Sequence, residues 1–371
     1  MRWSWPIGRL LGIPLRVHLT FPLLLAWIAI AQWRIDGDPR GALSLVFNVL
    51  LVFTIVVLHE LGHALAARHY GVATRDITLL PIGGVARLER IPKEPKQELV
   101  IAAAGPAVNL VLALLIGGGL LLTGGLGPLT DLGGFVVSDP SFDLRRLAAR
   151  LVGINVWLLV FNLLPAFPMD GGRVLRAALA MHYRDHTRAT EVAARVGRGF
   201  AVLFGIVGLF VINSPVLVLI AVFVWLSGSS EALHVRTQAA LDGVTLRAVT
   251  ITDLRTLAPD DTLAQAAQLV VDGFQHDFPV LDAGRYVGML SRTDLVRGLH
   301  AQGPAANVAT VMRRDTPMLQ SSQVPEVALQ LLAGSRASAI PVLQDGQLVG
   351  LLTQENVMEY LMLRQATHGE R

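Results

Sequence analysis

Residues Leu43 to Leu58 are almost uniformly apolar, and the run closes directly on His59-Glu60-Leu61-Gly62-His63. An apolar run of that length reads as a membrane span. Ionisable groups are costly inside a bilayer, so those found there are candidates for function. Histidines four apart lie on one face of a helix, one turn apart, which is the spacing that lets two imidazoles share one Zn²⁺. Glu60 stands between them and can reach a water on such an ion. This stretch therefore predicts hydrolysis carried out within the bilayer.

The composition agrees with a membrane setting. Of 371 residues, 53% are hydrophobic and 16% charged, against roughly 25% charged in soluble domains, and the mean hydropathy is +0.53. The apolar residues concentrate before about residue 230, and charges spread more evenly after it. This predicts a multi-pass α-helical membrane domain over 1–230 with a soluble α/β part attached. There is no cysteine, which excludes a disulfide framework and a thiolate metal site. Any metal must be held by His, Asp, Glu or Asn. The net charge of +3 and the pI near 9.7 reflect arginines that orient helices, and no nucleic-acid partner is expected. The N-terminal stretch is basic and then apolar with no small-residue cleavage site after it, so it reads as an uncleaved first span.

A span needs roughly 20 mainly apolar residues, and about six segments fit: 17–33, 43–67, 98–123, 148–167, 197–213 and 215–230. Lysines and arginines crowd 68–97 and 173–198, whereas 124–144 and the Asn213-Ser214-Pro215 turn have none. The alternation places both termini in the cytoplasm and the chain in the cell membrane. Arg34 and Arg40 in the first loop fit this pattern least well. Residues 77–89 are too short to span; two apolar arms flank Pro81-Ile82-Gly83-Gly84, which suggests a hairpin. If it re-enters the membrane, its exposed edge around Gly83 and Gly84 can pair with an unwound substrate strand. The other reading is an ordinary loop with apolar content.

Two histidines leave zinc short of ligands, since a catalytic site uses three protein ligands and a water. The fourth span ends in Phe161-Asn162-Leu163-Leu164-Pro165-Ala166-Phe167-Pro168-Met169-Asp170-Gly171-Gly172. Its prolines break the helix and the glycines allow a sharp turn, so Asp170 can turn back into the bundle and is assigned as third ligand. A helix-end aspartate facing water is the alternative. Asn162, about two turns earlier, can donate to a developing oxyanion or bond a neighbouring span. Asn109, in Gly105-Pro106-Ala107-Val108-Asn109, has the same ambiguity and reads rather as structural. His18 reads as an interfacial or packing residue, and His69 falls off the ligand face.

At this point a resemblance is clear. His59–Ala64, Gly105–Asn109 and Asn162–Gly172 resemble the site-2 protease family of intramembrane zinc metalloproteases over roughly residues 1–230. The resemblance implies one Zn²⁺ held by His59, His63 and Asp170, Glu60 as base, and membrane-embedded helices as substrates. Neither 68–98 nor 124–147 has room for a PDZ domain, so the chain is similar to the PDZ-less branch that includes the sporulation factor protease.

From about 249 two segments align at an offset of 62, with Pro279 on Pro341, Gly288 on Gly350, Ser291 on Thr353 and Asp294 on Asn356. Such a duplication suggests two like units on a pseudo-two-fold. The copies, 249–304 and 305–364, resemble a cystathionine-β-synthase (CBS) pair behind a short mixed linker at 231–248, with 365–371 as a frayed tail. The resemblance implies ATP, ADP or AMP in clefts between copies, with Ser291, Asp294, Thr353 and Asn356 as contacts. It also implies a homodimer through the pair. Asn356 departs from the usual aspartate, which puts the second site in doubt. A nucleotide-free dimerisation module is the plainer reading. Spans joined to CBS pairs also suit a CBS-regulated transporter or channel, but transport has no need of a glutamate between two helically spaced histidines.

Overall fold

The computed structural model describes residues 3–81, 83–89, 94–124, 144–241, 244–334 and 337–368. The loop expected at 124–144 lies almost entirely outside the described residues, as do Ile82 of the hairpin tip and 369–371 of the expected tail. The chain forms two compact units, Met1–Leu233 and His234–Arg371.

The first unit opens on a hairpin, β1 (Ser4–Leu10) and β2 (Ile13–His18), and not on a span. The two-residue turn places Leu11 and Gly12 at positive φ, as a tight hairpin between right-twisted strands requires. The helix that follows, α1 (Thr20–Asp36), has 17 residues. Then comes α2 (Pro39–His69), 31 residues long. Its first turn is set by Pro39 and by Asp38, which accepts the Arg40 N–H at 2.9 Å. The expected hairpin is present as β3 (Thr74–Leu80) and β4 (Gly83–Leu88). Its neighbour is the N-terminal hairpin: the four strands form one sheet in the order β1-β2-β3-β4, with β2 parallel to β3 and the other pairs antiparallel. β4 is therefore an edge.

The rest of the unit is helical: α3 (Pro95–Gly124), α4 (Leu144–Asn162), α5 (Asp170–Tyr183), α6 (His186–Ile206) with a π turn over Val207–Val211, and α7 (Pro215–Leu241). Among the described residues four helices are long and apolar enough to cross a bilayer: α2, α3, α6 with its π turn, and α7. α1 is shorter, and α4 begins with Arg145, Arg146 and Arg150. Many of the contacts between helices are made by small side chains, with Ala64, Ala102, Ala177 and Ala193 fully buried, although Phe21 of α1 also packs on Phe53 of α2, while large apolar residues such as Leu122, Phe210 and Leu43 point outward. Small residues at helix contacts and large apolar residues facing outward are what packing in lipid selects.

One arginine counted among the orienting charges has another place. Arg176 is buried on α5, donating Nε–H to Glu98 of α3 at 2.8 Å and bonding Glu231 of α7. Its guanidinium lies 5.2 Å from the Phe167 ring. Glu98 is fully buried, so the trio holds three helices by a charge pairing whose Arg176–Glu98 part is closed to water.

In the second unit the duplication is visible in the backbone. α8 (Leu263–Asp272), β5 (Phe278–Asp282), β6 (Arg285–Leu290) and α9 (Arg292–Gln302) form the first copy. After β7 (Leu319–Gln320) come α10 (Pro325–Gly334), β8 (Ala339–Gln344), β9 (Gln347–Thr353) and α11 (Gln354–His368). Both hairpins turn on two residues at positive φ, Ala283-Gly284 and Asp345-Gly346, again 62 apart. Met289, Ala339 and Leu351 pack the copies together, and Ser338 donates to Asp277 at 2.6 Å across them. The stretch expected as a mixed linker is helical to Leu241. Leu241, Leu246 and Val249 are buried in the core of the second copy with Leu319 and Ile340.

Removing one partner of a buried ion pair leaves an uncompensated charge. Arg176→Ala is expected to destabilise the membrane unit by about 3–5 kcal/mol, read as a lowered unfolding midpoint of the detergent-solubilised chain.

Candidate metal centre

The i, i+4 spacing on α2 brings the His59 and His63 rings to a centroid separation of 4.8 Å. Their Nε2 atoms are 3.1 Å apart. The third group comes from the break after α4. That helix ends at Asn162, seven irregular residues follow, and Asp170 is the first residue of α5. Its Oδ2 lies 3.1 Å from each Nε2. All three side chains are buried. Among the described residues they are the cluster with donor atoms close enough to share an ion. Bonds of roughly 2.0–2.1 Å at tetrahedral angles separate two ligands of zinc by about 3.3 Å, so this cage needs to expand by only about 0.2 Å. Two imidazoles and a carboxylate leave a fourth position open, as in catalytic zinc sites.

The opposite ring nitrogens are engaged by α3. His63 Nδ1 donates to the Ile101 carbonyl at 2.7 Å, and His59 Nδ1 lies 3.2 Å from Asn109 Oδ1. Gly105 stands between these two positions. A Cβ there would come within 2.2 Å of His63 Nε2 and 2.7 Å of His59 Nε2, so the site exists only because α3 carries no side chain at that point.

Glu60 adjoins the pair on α2 and turns to the sheet, where its Oε2 accepts the Ala86 N–H of β4 at 3.1 Å. Gly84 packs against it, its absent Cβ 2.9 Å from Glu60 Cγ. The free edge of β4 thus runs beside the glutamate. Gly83, at positive φ, opens the strand. Asn162 is half-buried, and no described hydrogen bond brings it to the cluster. His18 bonds Thr20 Oγ1 at 2.8 Å near the start of α1, and His69 packs its ring on Tyr70; neither joins the site.

In the tail, Ser291 caps α9 by accepting the Asp294 N–H at 3.2 Å, and Thr353 does the same for Asn356 before α11. Asp294 differs from Asn356 in being paired with Arg313 at 2.7 Å. Burial pushes its carboxyl upward, but hydrogen bonds from Arg313 and Ser291 hold it below the ordinary carboxylate range.

Comparison with known proteins agrees with both halves. The model of peptidase family M50 matches residues 47–204, and that of the CBS domain matches 246–301 and 308–363. The chain belongs to the M50 peptidases. It is a zinc-dependent metalloprotease of the site-2 protease type with a CBS pair. The zinc metalloprotease MJ0392 of Methanocaldococcus jannaschii is 28% identical over 369 residues, which cover 98% of this chain and 97% of that one. Stage IV sporulation protein FB of Bacillus subtilis is 27% identical over 207 residues, covering 56% and 62%. A solved site-2 protease from M. jannaschii is 34% identical, with a TM-score of 0.43, over 62% of this chain and 95% of that one.

Asn109, read from the sequence as a structural amide, proves to lie against the His59 ring. A lone amide in an apolar span is the signal it offered, and that signal does not distinguish a ring partner from a helix–helix bond. In this M50 peptidase, Gly105→Ala is expected to push both rings off α3. Zinc retained by the purified variant after dialysis should fall to background, while Ala107→Gly on the same helix should retain wild-type zinc content.

Proposed function

We propose that the protein hydrolyses a peptide bond in or near a transmembrane segment of a membrane-protein substrate, with one zinc ion held by His59, His63 and Asp170. One observation carries this reading. Two imidazole nitrogens and one carboxylate oxygen lie 3.1 Å from one another in a helical unit whose outer surface is apolar, with a glutamate between the histidines.

A zinc ion bound there would supply Lewis acidity and an acidified water. Glu60 takes the proton of the attacking water on its carboxylate and delivers it to the leaving amide nitrogen. Asn162 donates its side-chain N–H to the carbonyl oxygen as charge develops. A peptide bond inside a helix is shielded by its own hydrogen bonds, so the substrate must unwind. The edge of β4 at Gly83, Gly84 and Ala86 supports the receiving surface, since a strand added there satisfies the unwound backbone. Such a strand competes for the Ala86 N–H that Glu60 now accepts, so substrate docking and release of the base are coupled.

Six spans with both termini in the cytoplasm complete the proposed topology. In it the 17-residue α1 and the arginine-led α4 join the four long apolar helices. The CBS copies, 249–304 and 305–364, bind an adenine nucleotide through Ser291, Asp294, Thr353 and Asn356, associate as a homodimer and regulate the protease. The repeated helix-opening turns at Ser291 and Thr353 support this, each presenting a hydroxyl beside a polar side chain.

Glu60→Gln should hold one zinc per chain and lose cleavage, judged by comparing membrane proteomes of cells carrying the active and the substituted protein. Full cleavage by that variant rules out the base assignment. Asp170→Ala should lose the metal itself. ATP and AMP titrated into the full chain by calorimetry should release or absorb heat and raise the tail's unfolding temperature; no response would leave the CBS pair as an association module.

A further inference from the structure

The two histidines of α2 and three positions of α3 stand in register. His63 meets Ile101, His59 meets Asn109, and Gly105 lies between, close to both Nε2 atoms. Positions 101, 105 and 109 are four apart, so they form one stripe along α3 facing the metal centre. The ligand assignment requires each histidine to keep its proton on Nδ1 and its lone pair on Nε2. A backbone carbonyl can only accept, so Ile101 sets His63 in that form. For His59 the same demand falls on a side chain that is fully buried.

We propose that Asn109 is the positioning residue for His59, holding its ring and its tautomer so that Nε2 faces the metal; this rests on the zinc site proposed above. Two observations favour a role at the ring over one in helix packing alone. Asn109 directs its oxygen to His59 Nδ1, and its amide nitrogen, also buried, has no hydrogen-bond partner among the described residues. The bond to the ring is thus the contact that this buried side chain satisfies. The second is charge. Zn²⁺ with the carboxylates of Asp170 and Glu60 sums to zero, and an asparagine supplies the acceptor without adding an anion to an apolar interior, where an unbalanced charge is costly.

The test uses the purified full chain in detergent. Wild type, Asn109→Leu, Asn109→Ala and Asn109→Asp are compared for zinc held against a graded chelator, for the visible absorption of the Co²⁺-substituted protein, and for thermal unfolding of the metal-free form. Leu and Ala variants should bind zinc on the order of ten- to a hundredfold more weakly and shift the Co²⁺ bands. The metal-free Leu variant should unfold close to the wild-type temperature, because the amide nitrogen it removes had no partner among the described residues and the metal-free His59 ring can donate from Nε2 to Asp170 instead. The Asp variant, which keeps the acceptor, should hold zinc within a few-fold of wild type. Unchanged affinity and spectrum in both the Leu and Ala variants, or lost metal-free stability with affinity intact, would make Asn109 a packing residue. A wild-type chain that binds no zinc would overturn the ligand assignment itself, and this inference with it.

Discussion

One carboxylate oxygen stands 3.1 Å from two imidazole nitrogens, all three buried. Each of these groups would be expensive alone in an apolar bundle. Together they form a site in which charge and hydrogen-bonding capacity are matched. Much of the surrounding architecture follows from bringing them together. α2 supplies two rings one turn apart. The break between Asn162 and Asp170 swings a carboxylate onto them, and α3 passes close behind because Gly105 has no side chain. The helix that carries Asp170 is then held by Arg176, whose pairing with Glu98 and Glu231 ties α5 to α3 and α7.

The sheet adds a second constraint. An edge strand leaves N–H and C=O groups unpaired, and in a membrane unit such groups need partners. At β4 one of them is met by Glu60 through Ala86. The residue proposed to move the proton is therefore also the residue that closes the edge on which an extended substrate would pair. In that proposal catalytic readiness and substrate docking draw on the same backbone group, so the base would stay occupied until a strand arrives.

The tail obeys different rules. Its cores are built from large apolar side chains, such as Leu263, Phe278 and Ile340, all fully buried, where the membrane unit packs many alanines between its helices. Duplication explains the repeated hairpins and helix caps, and the divergence at Asp294 and Asn356 gives the first turn a carboxylate paired with Arg313 where the second has a neutral amide. The two turns are alike in geometry and unlike in charge, so the copies do not offer equivalent sites.

The features legible in the sequence by itself are those carried by local periodicity or by residue type. The long apolar helices, the face shared by His59 and His63, the hairpin after Thr74 and the 62-residue repeat all announce themselves within a few turns of chain. Asp170 was legible for another reason, since a carboxylate beside broken apolar helix has few roles. Tertiary structure alone decided the rest. The N-terminal residues, taken from composition as part of a span, become β1 and β2 because β3 offers β2 an edge across 50-odd residues of intervening helix. Asn109 meets His59 from 50 positions away, and Arg176 meets Glu98 from 78. Their types suggested a structural amide and an orienting charge. A pattern of alternating or helical spacing reports which face of an element is buried, but it carries no information about what waits on the other side of the contact, and at this site that is where the polar partners are chosen.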